Sequence, residues 1–304
     1  MLAGAAIIGS NGTLVKVAGT PPTISAFWRM LFAAIFLLAP VLLLQRWSPL
    51  SRRTWWCIAI AGIAFAGDLW FWHRSILLVG PGLATLLANS QVFFMALAGV
   101  LIFGERLRPR FLAGLLLAFI GLWLLLGGHW MELPAAYHWG VWLGLAAGIC
   151  YAAYNLGLRG AQREVRGVQH GHGPVHDRDH RRGALILQVL GLSSLMSAVF
   201  LGMAGVAERA AFTIPGWQSL LVLLVLAGFG HCLSWVMISR AMAHLRVAMI
   251  GLLLLLQPIV AFLLDVAIFD RLTTPREWLG LVFSLAGIFL AGLKGPSRVA
   301  EQPA

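Results

Sequence analysis

Ten apolar runs follow one another along the 304 residues, with short polar or turn-forming breaks between them. They are 2–18, 24–45, 54–78, 82–103, 111–128, 139–159, 184–206, 217–238, 246–268 and 277–293. A helix needs about 20 apolar residues to cross the hydrocarbon of a bilayer, and these runs have that length. An open sheet leaves backbone groups unsatisfied in lipid, so each run is expected to be helical. Turn formers separate them: Pro21-Pro22, Pro49, Gly80-Pro81-Gly82, Pro109, Pro134, Pro215 and Pro275. Composition agrees. Only 11% of residues are charged against about 25% in soluble domains. The expected fold class is an all-α integral membrane protein with ten transmembrane helices.

The net charge of +11 does not point to nucleic acid, because most basic residues lie in short segments between apolar runs. With the N-terminus placed in the cytoplasm, the outer or mid-span group is Lys16, Arg29, Arg74, Arg209, Arg271 and Arg276, leaving 16 of 22 basic residues inside. That bias favours both termini in the cytoplasm, as a multi-pass protein of a bacterial-type inner membrane. Cys57, Cys150 and Cys232 all fall within apolar runs and show neither a disulfide framework nor a metal spacing. The first run begins at Met1 with no basic residues ahead of it and no cleavage pattern, so it is expected to be a spanning helix, not a signal peptide.

The chain also repeats itself. FGERL at 103–107 returns as FDRL at 269–272. Arg74 precedes Gln91 by the same interval as Arg240 precedes Gln257, and Gly114 and Gly121 return as Gly280 and Gly287. The first runs match more weakly, AAIIGSNGTLVK at 5–16 against AAGICYAAYNLGLR at 146–159. Two copies of five helices each must enter the membrane from opposite sides, because five is odd. The expected domains are a first repeat, 1–128, a second repeat, 129–293, with a His/Arg-rich cytoplasmic loop at 160–183, and a cytoplasmic tail, 294–304. Inverted repeats of this kind are typical of secondary transporters, whose substrate site lies between the halves. No GxxxxGK[ST] stretch is present, so gradients are the expected energy source.

In these residues the chain resembles the EamA-type branch of the drug/metabolite transporter superfamily. The resemblance rests on ISAFWRMLFAAIFLL (24–38), on FGERL followed by GLLLAFIGLWLLLG (114–127), and on LLQPIVAFLLDVAIFDRL (255–272) followed by GLVFSLAGIFLAG (280–292). Two departures stand out: Gln91-Val92 where such proteins often carry a proline, and Asp270 where Glu is common. The resemblance implies ten helices and export or exchange of small metabolites.

Polar residues within apolar runs are expensive and tend to face a cavity or a partner. Asp68 is expected near the middle of the third run, with Trp72 on the same face, and His231 with Trp235 offers a similar pair in the eighth. Asn11 on the first run and Tyr151 and Tyr154 on the sixth are further candidates. So are Asn89 and Gln91 on the fourth run and Gln257 on the ninth. Together these are the expected substrate or coupling residues of a central cavity. Lys16 is a weaker candidate. Arg29 is expected to reach the outer interface, His73 and Arg74 to lie towards the outer mouth, and Glu105 with Arg106 to form a structural ion pair. The small residues at Gly62, Gly114, Gly121, Gly144, Gly148, Gly280 and Gly287 suit close helix contact. Trp55, Trp56, Trp130, Trp139 and Trp278 suit interface anchors. The tract VQHGHGPVHDRDHRRG at 168–183 is expected to be a loop, since its histidines fit no structural zinc pattern.

These features point to a secondary active transporter, an exporter or exchanger of a small metabolite such as an amino acid or a derivative, working by alternating access. Protons are the candidate coupling ion. No catalytic residue, metal or cofactor is expected. The partners are a small-molecule metabolite and the lipid bilayer, with no nucleic acid, in a monomer or homodimer. The rival readings are a membrane-embedded enzyme acting on a lipid and a non-transporting scaffold; the sparse intramembrane charge disfavours the first, and the polar residues deep in both halves disfavour the second.

Overall fold

A computed structural model describes residues 1–104, 109–126, 134–162, 175–242, 245, 247–270 and 273–292. Glu105, Arg106, Trp130, His170 and His172 lie outside the described residues. Among the described residues the chain is helical, with no strand. The helices are α1 (Leu2–Gly9), α2 (Asn11–Ala18), α3 (Pro22–Leu43), α4 (Arg52–Val79), α5 (Pro81–Ala88), α6 (Gln91–Leu101) and α7 (Pro109–Leu126). They continue with α8 (Ala135–Ala161), α9 (Val175–Ala207), α10 (Trp217–Ala227), a π-helical turn (Gly228–Leu233), α11 (Ser234–Met242), α12 (Val247–Leu254), α13 (Leu256–Phe269) and α14 (Pro275–Gly292).

Among the described residues, six stretches are long and apolar enough to cross a membrane: Pro22–Leu43, Arg52–Val79, Pro81–Leu101, Ala135–Ala161, Arg181–Ala207 and Trp217–Met242. Leu2–Ala18, Pro109–Gly121 and Leu256–Phe269 are shorter apolar helices. Large apolar side chains remain exposed on the outward faces, among them Leu43, Leu101, Leu116, Trp123 and Val206. On a soluble surface such a belt invites aggregation, whereas in lipid it is solvated.

Prolines set many of the starts. Pro22, Pro81, Pro109 and Pro275 each occupy the first position of a helix. The missing N–H is no loss there, and the fixed φ is already helical. Gly80, between α4 and α5, has φ +84, a conformation that side chains rarely adopt, so a non-glycine residue at this corner would be strained. Of the expected loop 160–183, Gly160–Ala161 and Val175–Gly183 are helical, and 163–174 lie outside the described residues.

Three runs expected to be continuous are broken. The first breaks at Ser10, whose hydroxyl bonds the Ile7 carbonyl at 2.7 Å. The fourth breaks at Asn89-Ser90, where the backbone tightens into Ser90 N–Leu87 O and Val92 N–Asn89 O bonds and the Asn89 amide bonds the Thr85 carbonyl at 2.8 Å. Short polar side chains compete with the helix for its own carbonyls in this way. The ninth breaks at Leu255, three residues before Pro258, which has no N–H for the Leu254 carbonyl. An offset of 166 carries Pro81–Ala88 onto Val247–Leu254. The two breaks therefore fall at equivalent places, although only the second has a proline.

The packing is reciprocal. α5 lies against α13 and α6 against α12, while α3 lies against α9 and α7 against α14. A Cβ at Gly121 would meet the Gly280 carbonyl at 2.5 Å, and a Cβ at Gly287 would meet the Gly114 carbonyl and the Ala118 nitrogen. Gly114 and Gly280 are equivalent under the offset, as are Gly121 and Gly287. The first helix of each half leans the other way: α1 packs on α11 and α13, and α8 on α4, α5 and α6.

Backbone atoms cannot yield to a side chain at Gly121. Gly121→Leu is expected to destabilise the bundle by about 1–3 kcal/mol, seen as a lower Tm of the purified protein in detergent. An unchanged Tm would refute the close α7–α14 contact.

Candidate functional site

The three breaks adjoin one cavity. It has a volume of about 30 Å³ and is lined by Ile8, Asn11, Arg29, Phe65, Asp68, Leu69, Trp72, Thr85, Ala88, Asn89, Tyr151, Trp235 and Gln257. Seven of the expected site residues are brought together here: Asn11, Asp68, Trp72, Asn89, Tyr151, Trp235 and Gln257. Asn11 opens α2 and Gln257 is the second residue of α13, both just after breaks, while Asn89 follows the last residue of α5. A broken helix turns polar groups sideways that a continuous helix would bond internally.

The other three stand behind the wall. Gln91 accepts a 2.8 Å hydrogen bond from the Asn155 amide. Tyr154 stacks on Phe65 with ring centroids 4.2 Å apart and meets Trp235 edge-on at 4.6 Å. His231 lies in the π turn, a feature frequent at functional sites, and its Nε2 is 3.0 Å from the Ser194 hydroxyl. Its ring is 5.3 Å from Phe65. His231 thus buttresses the wall and does not line the space. Gln257 donates to the Tyr151 hydroxyl at 2.9 Å, joining the ninth run to the sixth. Lys16 is exposed, with its ammonium 3.8 Å from the Phe269 ring centre, away from the cavity.

Two charged residues depart from their expected places. Arg29 is only 2% exposed and lines the cavity; α3 begins at Pro22, so this side chain lies two turns inside the helix. His73 is fully buried and its Nδ1 is 2.7 Å from the Leu69 carbonyl; α4 continues to Val79, which leaves His73 well short of the helix end. Sequence reasoning also passed over Phe65 and Thr85. Phe65 looks like any aromatic in an apolar run, and Thr85 carries only a hydroxyl, so neither gave a signal beyond Phe65 lying three residues before Asp68.

The electrostatics of the cavity rest on two opposite charges. Asp68 is 6% exposed, and no ion pair within 4.0 Å joins it to Arg29 among the described residues. Nε and Nη1 of Arg29 have no hydrogen-bond partner in the protein, nor do Asn11 Oδ1, Thr85 Oγ1 or Asn89 Oδ1. Buried polar atoms are nearly always paired, so this many in one cavity marks it out.

One end of the bundle is tied shut by a second cluster. Arg74 Nη2 meets Glu208 Oε1 at 2.6 Å and donates to Thr23 at 2.9 Å. Thr23 donates to Glu208 Oε2 at 2.7 Å and the Trp70 indole donates to Oε1 at 2.7 Å. The Arg74 guanidinium sits 3.8 Å from the Trp70 ring centre. Nearby, Trp28 donates to the Phe212 carbonyl at 3.1 Å. Burial pushes the Glu208 carboxyl upward, but the Thr23 and Trp70 hydrogen bonds and the Arg74 contact outweigh it and hold the group below its ordinary range.

An all-helical bundle with helices long and apolar enough for a bilayer, built around a cavity that holds a buried acid and a buried base, is the architecture of a membrane transporter. The model of the EamA-like transporter family matches residues 1–127 and 181–293, and the chain belongs to that family. No curated protein matches it. Among solved structures 28 chains match. One, described only as a crystal structure of a protein, has a TM-score of 0.67 and 18% identity over 95% of this chain and 94% of its own. That likeness speaks to the fold.

The Glu208 value is depressed on folding, so its stabilisation is present above the ordinary carboxylate range and is lost as pH falls through the folded value. Glu208→Gln is expected to remove that acid sensitivity. The cost at neutral pH is about 1 kcal/mol or less, since the ion pair is partly exposed. Melting curves of both proteins against pH in detergent check this; parallel acid profiles would count against the cluster.

Proposed function

We propose that this protein is a secondary transporter that moves a small metabolite, such as an amino acid or a derivative, out of the cell or in exchange, by alternating access across the cytoplasmic membrane. The observation that carries it is the cavity at which three helix breaks converge, holding a buried acid and a buried base.

The reciprocal contacts support an inverted repeat. Gly121 meets Gly280 while Gly114 meets Gly287, so equivalent positions exchange partners as the helices run in opposite directions. A two-fold axis perpendicular to the helices produces that pattern, and such an axis lies in the membrane plane. The α5–α13 and α6–α12 pairs obey the same operation. On this reading the chain makes ten crossings in two halves, 1–128 and 129–293, with both termini in the cytoplasm. Two inverted copies of one unit give inward-open and outward-open arrangements of comparable energy. The tied cluster at Arg74 and Glu208 then closes one mouth.

Asp68 is the coupling candidate. It is a buried carboxylate in the cavity with no hydrogen bond to another side chain among the described residues, free to change partner or protonation as access alternates. In proteoliposomes, substrate flux through the wild type is expected to vary with pH between about 5 and 8, and Asp68→Asn to flatten that dependence. The starting substrate comes from counterflow with a labelled metabolite mixture. A pH profile unaltered by Asp68→Asn removes this residue from coupling.

A further inference from the structure

Asp265 is a buried acid that the cavity does not use. It is 3% exposed and stands near the end of α13. Its Oδ2 accepts a hydrogen bond of 3.3 Å from the Gly82 N–H. Gly82 is the second residue of α5, where the first helical bond runs from Ala84 N to the Gly80 carbonyl at 3.1 Å. The Gly82 N–H therefore has no acceptor inside its own helix, and Pro81 has no N–H to offer. A carboxylate from the second half of the chain thus caps a helix of the first half, at the end where the helix dipole favours negative charge.

The corner leaves room for it. A Cβ at Gly82 would lie 3.0 Å from Asp265 Oδ2 and 3.2 Å from the Phe262 Cα, and one at Gly80 would lie 3.4 Å from Oδ2. Arg74 lies near the end of α4, directly before this corner, so the Asp265 tie and the Arg74–Glu208 cluster share one end of the bundle. At its other end α5 reaches the cavity, where Thr85 and Ala88 line the wall with Asn89 just beyond. α5 is therefore a short rod with Asp265 at one end and the Asn89-Ser90 break at the other. The offset of 166 replaces Gly82 with Ala248 and Asp265 with Gly99, so the equivalent corner of the second half has no acid. Two-fold symmetry alone would leave the two access states level, and a bond at one mouth only tips the balance.

We propose that Asp265 is a latch on α5: it favours closure of the mouth beside Arg74 and Glu208, positions Thr85, Ala88 and Asn89 in the cavity wall, and lets go of Gly82 when that mouth opens. The latch rests on the alternating-access reading and goes beyond it by naming the bond that sets the resting state.

The test uses the full chain in lipid nanodiscs. Spin labels enter through a clickable non-natural amino acid, so the native cysteines stay in place. One pair, at the exposed positions Leu77 and Ile268, spans the latched mouth; the other, at the exposed positions Arg240 and Ile102, spans the opposite end. Asp265→Asn keeps the shape and removes the charge. Gly82→Ala crowds the same bond from the other helix, so the test does not hang on one variant folding. In both variants the Leu77–Ile268 distance is expected to gain a longer component and the Arg240–Ile102 distance a shorter one. The ratio of the two states is expected to change by about 10- to 100-fold, the worth of a hydrogen bond to a charged group. A purely structural cap does not move two ends in opposite senses. Distances unchanged in both variants overturn the latch, as does a lower Tm with both distances broadened alike. Counterflow by the wild type judges the transporter reading separately: counterflow alongside either of those results leaves that reading standing, and the absence of counterflow with a broad metabolite mixture removes both.

Discussion

In hydrocarbon no water is at hand to satisfy a stray N–H or carbonyl, so a helix there may break only where something else receives the freed groups. That constraint orders this molecule. The breaks at Ser10, Asn89-Ser90 and Leu255 all adjoin one interior space, and side chains at the first two meet freed carbonyls: Ser10 that of Ile7 and Asn89 that of Thr85. Asn11 bonds the Gly230 carbonyl, and Ser234 bonds the same carbonyl at 2.8 Å. The cavity and the irregular backbone are two aspects of one solution: polar groups are exposed where a polar solute could use them and hidden elsewhere.

Much of the bundle was legible because its signals are local. Proline at a helix start and glycine at a close contact act through their own backbones, so Pro22, Pro81, Pro109 and Pro275 and the pairs Gly114/Gly121 and Gly280/Gly287 announce themselves in one dimension. Seven of ten expected site residues line the cavity for a similar reason, since a polar residue in an apolar run has few other places to go. What failed was phase. Arg29 stands seven residues into α3 and faces the cavity. His73 is fully buried although α4 ends only one residue past the expected 78. The direction each side chain faces was misread more than the helix ends.

The tract at 168–183 misled in another way. Its histidines, glycines and charges read as loop by composition, yet the part from Val175 onward belongs to α9. Polarity excludes lipid but does not exclude helix, and the first turns of a long helix can run beyond the bilayer. The break at Asn89-Ser90 shows the converse: a proline was the only break signal looked for, whereas short polar side chains achieved the same break in the first half.

The exchange of first helices has a mechanical consequence. α1 and α2 belong by sequence to the first half but pack on α10, α11 and α13, and α8 belongs to the second half but packs on α4, α5 and α6. The Asn11–Gly230 bond pins the former across the boundary. The packed groups of helices therefore do not coincide with the two stretches related by the 166-residue offset: each carries a helix borrowed from the other, like two hands with interlaced thumbs. Cutting the chain between those stretches would separate each packed group from part of itself, so neither can hold its shape without the other.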